Sequence, residues 1–368
     1  MSTLLVERDA DLGLLCAALA DAPWIAFDTE FLRSDSYFPR LCLMQVATPE
    51  RVAVVDAITI DDLDPLFELL LDGRREVVVH SGEQDFEILY HLTGRIPRLV
   101  FDTQIAATML GLGDQVSYAA AVEALLGVRL DKAHTRTNWA RRPLAPGQLS
   151  YAADDVRHLC VLYQVEREAL AAAGRVDWID DDTATLTNLE RYRTRPMETW
   201  QRVKGKGRCE GPSLARLQAV AAWREREAMR ADKPRRWILD DPDLLAIAEA
   251  DPRGTEPLHR LGVRGAKAAR LAAALDVARA VPASEWPRHD FRASVGPEGE
   301  AAADRLLDEV RLVAEALGVA PNALATRTQV KDLVAGVADT PLRRGWRADL
   351  LADAINRVLP FAAMPARP

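Results

Sequence analysis

The four runs that read most clearly as β-strands all lie before residue 82, whereas almost everything after residue 212 follows helical spacing. WIAFDTE (24–30), LCLMQVA (41–47), RVAVVDA (51–57) and EVVVHS (76–81) are short and rich in β-branched and apolar residues, as strands are. The first three are joined by connections short enough for neighbouring strands, and helical segments are expected near 62–71, 83–92 and 103–127. This order dictates an α/β domain over residues 1–175, a mixed sheet with helices packed on it.

Beyond it the pattern loosens. Residues 176–210 carry polar runs, Pro196 and the basic stretch VKGKGR, and read as a basic linker. Helical blocks then fill 211–290 and, after Pro282 and Pro287, 291–368. A length of 368 residues suits two or three domains, and the pattern selects three.

Several classes are excluded. Uncharged runs such as Thr103–Gly113 reach eleven residues, well short of the roughly 18–20 of a membrane span. The start MSTLLVERDADLG has no basic segment followed by an apolar stretch, so a cytoplasmic protein is expected. Cys16, Cys42, Cys160 and Cys209 are widely spaced and suggest neither disulfides nor a zinc knuckle. No G-x-x-x-x-G-K-[ST] occurs, which removes ATP-driven unwinding. The net charge of -8 argues against a nucleic-acid partner only on average: residues 191–240 hold fourteen basic and six acidic side chains, a local +8.

Three groups of residues are suited to chemistry. In WIAFDTE, period-two alternation puts Asp28 and Glu30 on one face, and two like charges there ask for a cation. Taken alone, D-x-E also reads as two solvated acids past a strand end. Asp85 falls in the first turns of a helix whose start is marked by Ser81 and Gln84 as a capping-box pair; acids favour that position without catalysis. On the helix opened by Pro146, Tyr151 stands one turn from Asp155 and three residues from Asp154, off an apolar stripe of Leu149, Ala152, Ala153, Val156, Cys160 and Tyr163. Spacing alone does not choose between the two aspartates.

Taken in order, D-x-E on a strand, H-S-x-x-x-D at a helix start and Y-x-x-x-D on a later helix resemble the DEDD exonuclease superfamily, in its tyrosine-bearing subgroup, and specifically ribonuclease D. FDTEFLRSDSYFPRLCLMQVA (27–47), VVVHSGEQDFEIL (77–89), FDTQIAATMLG (101–111) and RTNWARRPLAPGQLSYAADDV (136–156) carry the likeness. AWREREAMRADKPRRWILDDPDLLAIA (222–248) resembles the family's HRDC module, and LGVAPNALATRTQVKDLV with RRGWRADLL resembles its C-terminal, HRDC-like helices. The resemblance implies a ribonuclease H-like 3′-5′ exonuclease domain at 1–175, an HRDC domain at 211–290 and an HRDC-like domain at 291–368.

It also implies the chemistry: RNA hydrolysed from its 3′ end to nucleoside 5′-monophosphates with two divalent cations, Mg²⁺ or Mn²⁺. Asp28, Glu30, Asp85 and Asp155 would be the metal ligands, the family spacing selecting Asp155, and Tyr151 would orient the attacking water. Asp28 would bridge both ions, Glu30 and Asp155 would complete the nucleophile-side site, and Asp85 would hold the other ion largely through water. Asp102 reads better as a helix cap, and His80 as a satisfied histidine at a strand end. Phe31, Arg33, Tyr37 and Arg40 are candidates for the terminal-nucleotide pocket, and equally read as core aromatics and solvated arginines. Lys204, Lys206, Arg208, Arg235 and Arg236 are candidates for RNA backbone contacts, while Trp223 and Trp237 read as module core. The expected partner is RNA with a free 3′ end, tRNA precursors foremost, acted on by a monomer. A 3′-5′ DNA exonuclease and a catalytically silent RNA-binding scaffold are the alternatives.

Overall fold

A computed structural model describes residues 2–131, 137–289 and 295–359. The chain forms two compact units. One comprises 2–31, 41–131, 137–192 and 295–359; the other comprises 32–40 and 193–289.

The first unit is built on a six-stranded mixed sheet of β1 (Thr3–Val6), β2 (Trp24–Leu32), β3 (Arg40–Thr48), β4 (Arg51–Asp56), β5 (Glu76–Val79) and β6 (Leu99–Asp102), in the order β1-β4-β3-β2-β5-β6. β3 and β4 form an antiparallel pair, Thr48 opposite Arg51, while β1 runs parallel to β4 and β5 parallel to both β2 and β6. The helices are α1 (Asp9–Leu19), α2 (Asp64–Leu71), α3 (Glu83–Thr93), α4 (Thr103–Met109), α5 (Tyr118–Leu126), α6 (Pro146–Ala172) and α7 (Val176–Leu186). β1 and β6 lie outside the sequence expectation because four-residue strands such as TLLV and LVFD show too few alternations to register, and α1 lies outside it as well.

The sheet has two different faces. Ile25, Phe27, Met44, Val46, Ala53, Val55, Val77 and Val79 point into one core with Leu12, Leu66, Phe86 and Leu89 from α1, α2 and α3. By alternation Asp28, Glu30 and Gln45 belong to the opposite face. There Trp24 packs on Tyr163 of α6, ring centroids 4.6 Å apart, while Ala152, Ala153, Val156 and Leu159 bury that helix.

Two local expectations are corrected. The single helix expected over 103–127 is two, because Gly111 and Gly113 take left-handed backbone (φ 85° and 131°) between α4 and α5. The Ser81–Gln84 capping box is absent: Gly82 is the N-cap and receives no side-chain bond. Ser81 instead has φ 59°, and the Ser81 and Gly82 amides donate to Asp102. Glycine is required at 82 because a β-carbon would strike the Val79 side chain. Residues 176–210, expected as a linker, carry α7 and three short 3-10 turns.

The C-terminal helices α13 (Gly296–Leu317), α14 (Pro321–Leu324), α15 (Arg327–Val334) and α16 (Gly345–Val358) cluster with the sheet, not apart from it. Trp346 of α16 stacks on Trp178 of α7 with ring centroids 4.3 Å apart and planes 7° from parallel. Arg347 makes a paired bond to Asp182 at 2.6 and 2.8 Å, and a β-carbon on Gly111 would collide with the Gly318 carbonyl oxygen.

The second unit holds α8 (Pro212–Ala231), α9 (Arg235–Ile238), α10 (Asp241–Ala250), α11 (Glu256–Arg260) and α12 (Ala266–Ala280). Trp200, Leu214, Leu217, Trp223, Ile247 and Leu271 fill its core.

Candidate active site

Four carboxylates from three elements gather in the first unit. β2 supplies Asp28 and Glu30, α3 supplies Asp85, and α6 supplies Asp155. Desolvation pushes the Asp28 pKa well above the usual carboxylate range, and Asp85, Asp155 and Glu30 push it further by like-charge repulsion. Burial, then Asp155 and Asp85, raises Glu30 to about 8. Burial raises Asp155 to about 7. Burial also raises Asp85, but only to about 6, because the Thr29 hydroxyl donates to its Oδ1 at 2.5 Å and favours the ionised form.

Spacing left Asp154 and Asp155 as alternatives, and the fold separates them. Asp154 is ion-paired with Arg157, and its backbone carbonyl accepts from the Tyr118 hydroxyl at 3.1 Å. Asp155 faces the other acids. Tyr151 lies one turn before it, with its ring centroid 6.0 Å from that of buried Trp139. The segment carrying Trp139 is tied to the sheet by Arg142, which is ion-paired with buried Asp56 and donates to the Cys42 carbonyl at 3.2 Å.

The site is suited to cations. The strongest charges acting on Asp28 are three of its own sign, and hard carboxylate oxygens are the donors that magnesium and manganese take. Among the described residues no three His, Cys, Asp or Glu side chains are already closed around one point.

Neighbouring residues are structural. Asp102 caps α4, accepting from the Gln104 amide at 2.8 Å. His80 is bonded on both ring nitrogens, to Thr103 Oγ1 at 2.8 Å and the Val116 carbonyl at 3.0 Å, and burial lowers its pKa. Three contributors escape sequence reading. Thr29 alternates away from Asp28 yet holds Asp85, a contact 56 residues distant. Tyr118, whose pKa is pushed well up by burial and by Asp155 and Asp28, belongs to the same neighbourhood. Gln45 is fully buried on the Asp28 face of the next strand. None has a local sequence signal.

Of the pocket candidates, Phe31 is half-buried at the end of β2, and Arg33 and Arg40 are exposed. Tyr37 is not open for stacking: it is 7 % exposed, and its hydroxyl donates to Glu225. Of the basic candidates, Lys204 and Arg236 are exposed. Lys206 donates to the Gln201 carbonyl, Arg208 pairs with Glu249 at 3.1 Å, and Arg235 pairs with Glu225. Trp223 is core, but Trp237 is 62 % exposed: on the single turn of α9 it is Ile238 that packs against the core.

Residues 5–167 match the family described as 3′-5′ exonuclease, and residues 213–275 match the HRDC domain. The chain is 39% identical to ribonuclease D of Sphingobium indicum over 99% of its own length and 97% of the relative's. It belongs to the ribonuclease D family. Ribonuclease D of Granulibacter bethesdensis is 38% identical, over 95% of this chain and 90% of that one. The crystal structure of Escherichia coli RNase D, an exoribonuclease involved in structured RNA processing, superposes with a TM-score of 0.85 at 28% identity, covering 98% and 99% of the two chains. Family membership makes this chain a 3′-5′ exoribonuclease and a hydrolase, and it implies divalent-metal chemistry.

Proposed function

We propose that this exoribonuclease trims the 3′ ends of small structured RNAs, tRNA precursors foremost, releasing nucleoside 5′-monophosphates one at a time. The observation that carries the reading is the placement of Asp28 and Glu30 on β2, Asp85 on α3 and Asp155 on α6 within one unit. These four hold two divalent cations, magnesium or manganese, which when bound activate water and stabilise the leaving oxygen. Tyr151 hydrogen-bonds the attacking water as a neutral phenol, since a hydroxyl of pKa ~10 is a poor base at neutral pH. Phe31, Arg33 and Arg40 contact the terminal nucleotide, and Lys204 and Arg236 contact phosphates further along. The enzyme acts as a monomer in the cytoplasm.

The test is to incubate 3′-tailed RNA and a DNA of matched sequence with either cation and to identify products by chromatography. Stepwise 5′-monophosphates from RNA are expected. DNA digested faster than RNA, or 3′-phosphate products, would overturn the proposal.

A further inference from the structure

Which of Asp154 and Asp155 faces the other acids is a matter of helix rotation. Successive residues on an α-helix stand about 100° apart, so a turn of that size about the α6 axis would bring Asp154 to where Asp155 stands. Two bonds oppose such a turn. Arg157, ion-paired with Asp154, donates to Thr3 Oγ1 of β1 at 2.8 Å. From α5, the Tyr118 hydroxyl donates to the Asp154 backbone carbonyl at 3.1 Å. A carbonyl inside a helix already accepts from the amide four residues on, so this second donor ties α6 to its neighbour and is not needed to complete the helix.

Tyr118 is itself fixed from behind. It opens α5, where Ser117 is the N-cap and accepts the Ala120 amide, and Ala121 and Val122 of that helix pack with Leu162 of α6. His80 meets its ring edge-to-face with centroids 5.4 Å apart. The Val116 carbonyl, two residues earlier, accepts from His80 Nε2 and from Gln104 Nε2, both at 3.0 Å. Burial, then the charges of Asp155 and Asp28, push the Tyr118 pKa well up, so the phenol keeps its proton and stays a donor.

We propose that Tyr118 is a positioning residue for the nuclease site: its bond to the Asp154 carbonyl fixes the rotation of α6 and so turns Asp155 towards Asp28 and Glu30. The proposal rests on the function proposed above, in which Asp155 is a cation ligand. It makes α5, which supplies none of the four acids, part of what sets cation affinity.

Tyr118→Phe removes the hydroxyl and keeps the ring against His80. Its effect is read as manganese affinity of the full-length protein without RNA, by calorimetry, in a cycle with Asp155→Ala. In the wild-type background Tyr118→Phe should weaken manganese three- to tenfold, as the loss of one hydrogen bond implies. In the Asp155→Ala background, where the carboxylate it orients is gone, the same substitution should change affinity less than twofold. The proposal is overturned if Tyr118→Phe leaves manganese affinity unchanged, or if it weakens binding equally in both backgrounds, as a general loosening of the fold would. Wild-type protein that binds no manganese contradicts the proposed function instead, and the same cycle read in single-turnover hydrolysis still tests whether Tyr118 acts through Asp155.

Discussion

Thr29 holds Asp85: its hydroxyl donates to the carboxylate Oδ1 at 2.5 Å, so the residue between Asp28 and Glu30 secures the third acid of the cluster. A bond to the ionised form opposes burial, which is why Asp85 rises only to about 6. Thr29→Val removes the donor and moves the Asp85 pKa further up, so the acid limb of activity moves to higher pH. For a rise of roughly one pKa unit the rate loss in a pH–rate profile is about twofold at pH 7, approaches about tenfold near pH 5 and is recovered by pH 9, with Thr29→Ser close to wild type. A pH-independent loss would contradict this role.

Glu166 is fully buried on α6 with no hydrogen-bond partner for either carboxylate oxygen, and burial raises its pKa to about 9. The sign follows from the unfolded value near 4.5. Below it both states are protonated and nothing is lost. As pH rises from there towards 9, the unfolded chain releases its proton while the folded chain retains it, and stability falls. Glu166→Leu should flatten that slope and stabilise the protein at pH 8 by about 1–3 kcal/mol. Urea titrations at pH 5 and pH 8 measure both effects.

Gly111 approaches the Gly318 carbonyl with φ 85°, whereas Gly127, at φ 68°, has open space around it. Alanine at 127 pays only for its backbone conformation, about 1–2 kcal/mol. Gly111→Ala adds a collision with backbone that cannot rotate away, costing about 1–3 kcal/mol more. Thermal melts should rank the two in that order, and equal melting temperatures would show that α4 and α13 are not packed this closely.

Much of the site was legible because it is local: alternation along β2 pairs Asp28 with Glu30, and a helical turn pairs Tyr151 with its aspartates. What distinguishes Asp155 from Asp154 is the Arg157 ion pair, a matter of helix rotation that spacing leaves open. Thr29–Asp85 and Tyr37–Glu225 join residues 56 and 188 apart, and no window of sequence contains both partners. Trp223 and Trp237 sit in similar apolar company, yet one lies on a five-turn helix with a buried face and the other on a single turn. The helix break at Gly111 and Gly113 was readable from the glycines themselves.

Lys204 and Arg236 are exposed, whereas Lys206, Arg208 and Arg235 already bond protein groups. The double variant Lys204→Gln, Arg236→Gln should lower the salt slope of RNA affinity by nearly 2, about one for each phosphate that is no longer neutralised. Affinity measured over ~50 to ~200 mM salt tests this; an unchanged slope places the RNA backbone elsewhere.

The proposed function has Asp28 and its three partners act through bound cations. Single-turnover hydrolysis of 3′-labelled RNA by wild type and Asp28→Ala, each across a manganese titration and after chelation, tests this most directly. The wild-type rate should rise with metal and vanish with chelator, and Asp28→Ala should lose about 10³-fold or more, since several kcal/mol of transition-state stabilisation depend on the ions. Hydrolysis that survives chelation, or an Asp28→Ala rate within tenfold of wild type, would contradict a cation-dependent mechanism.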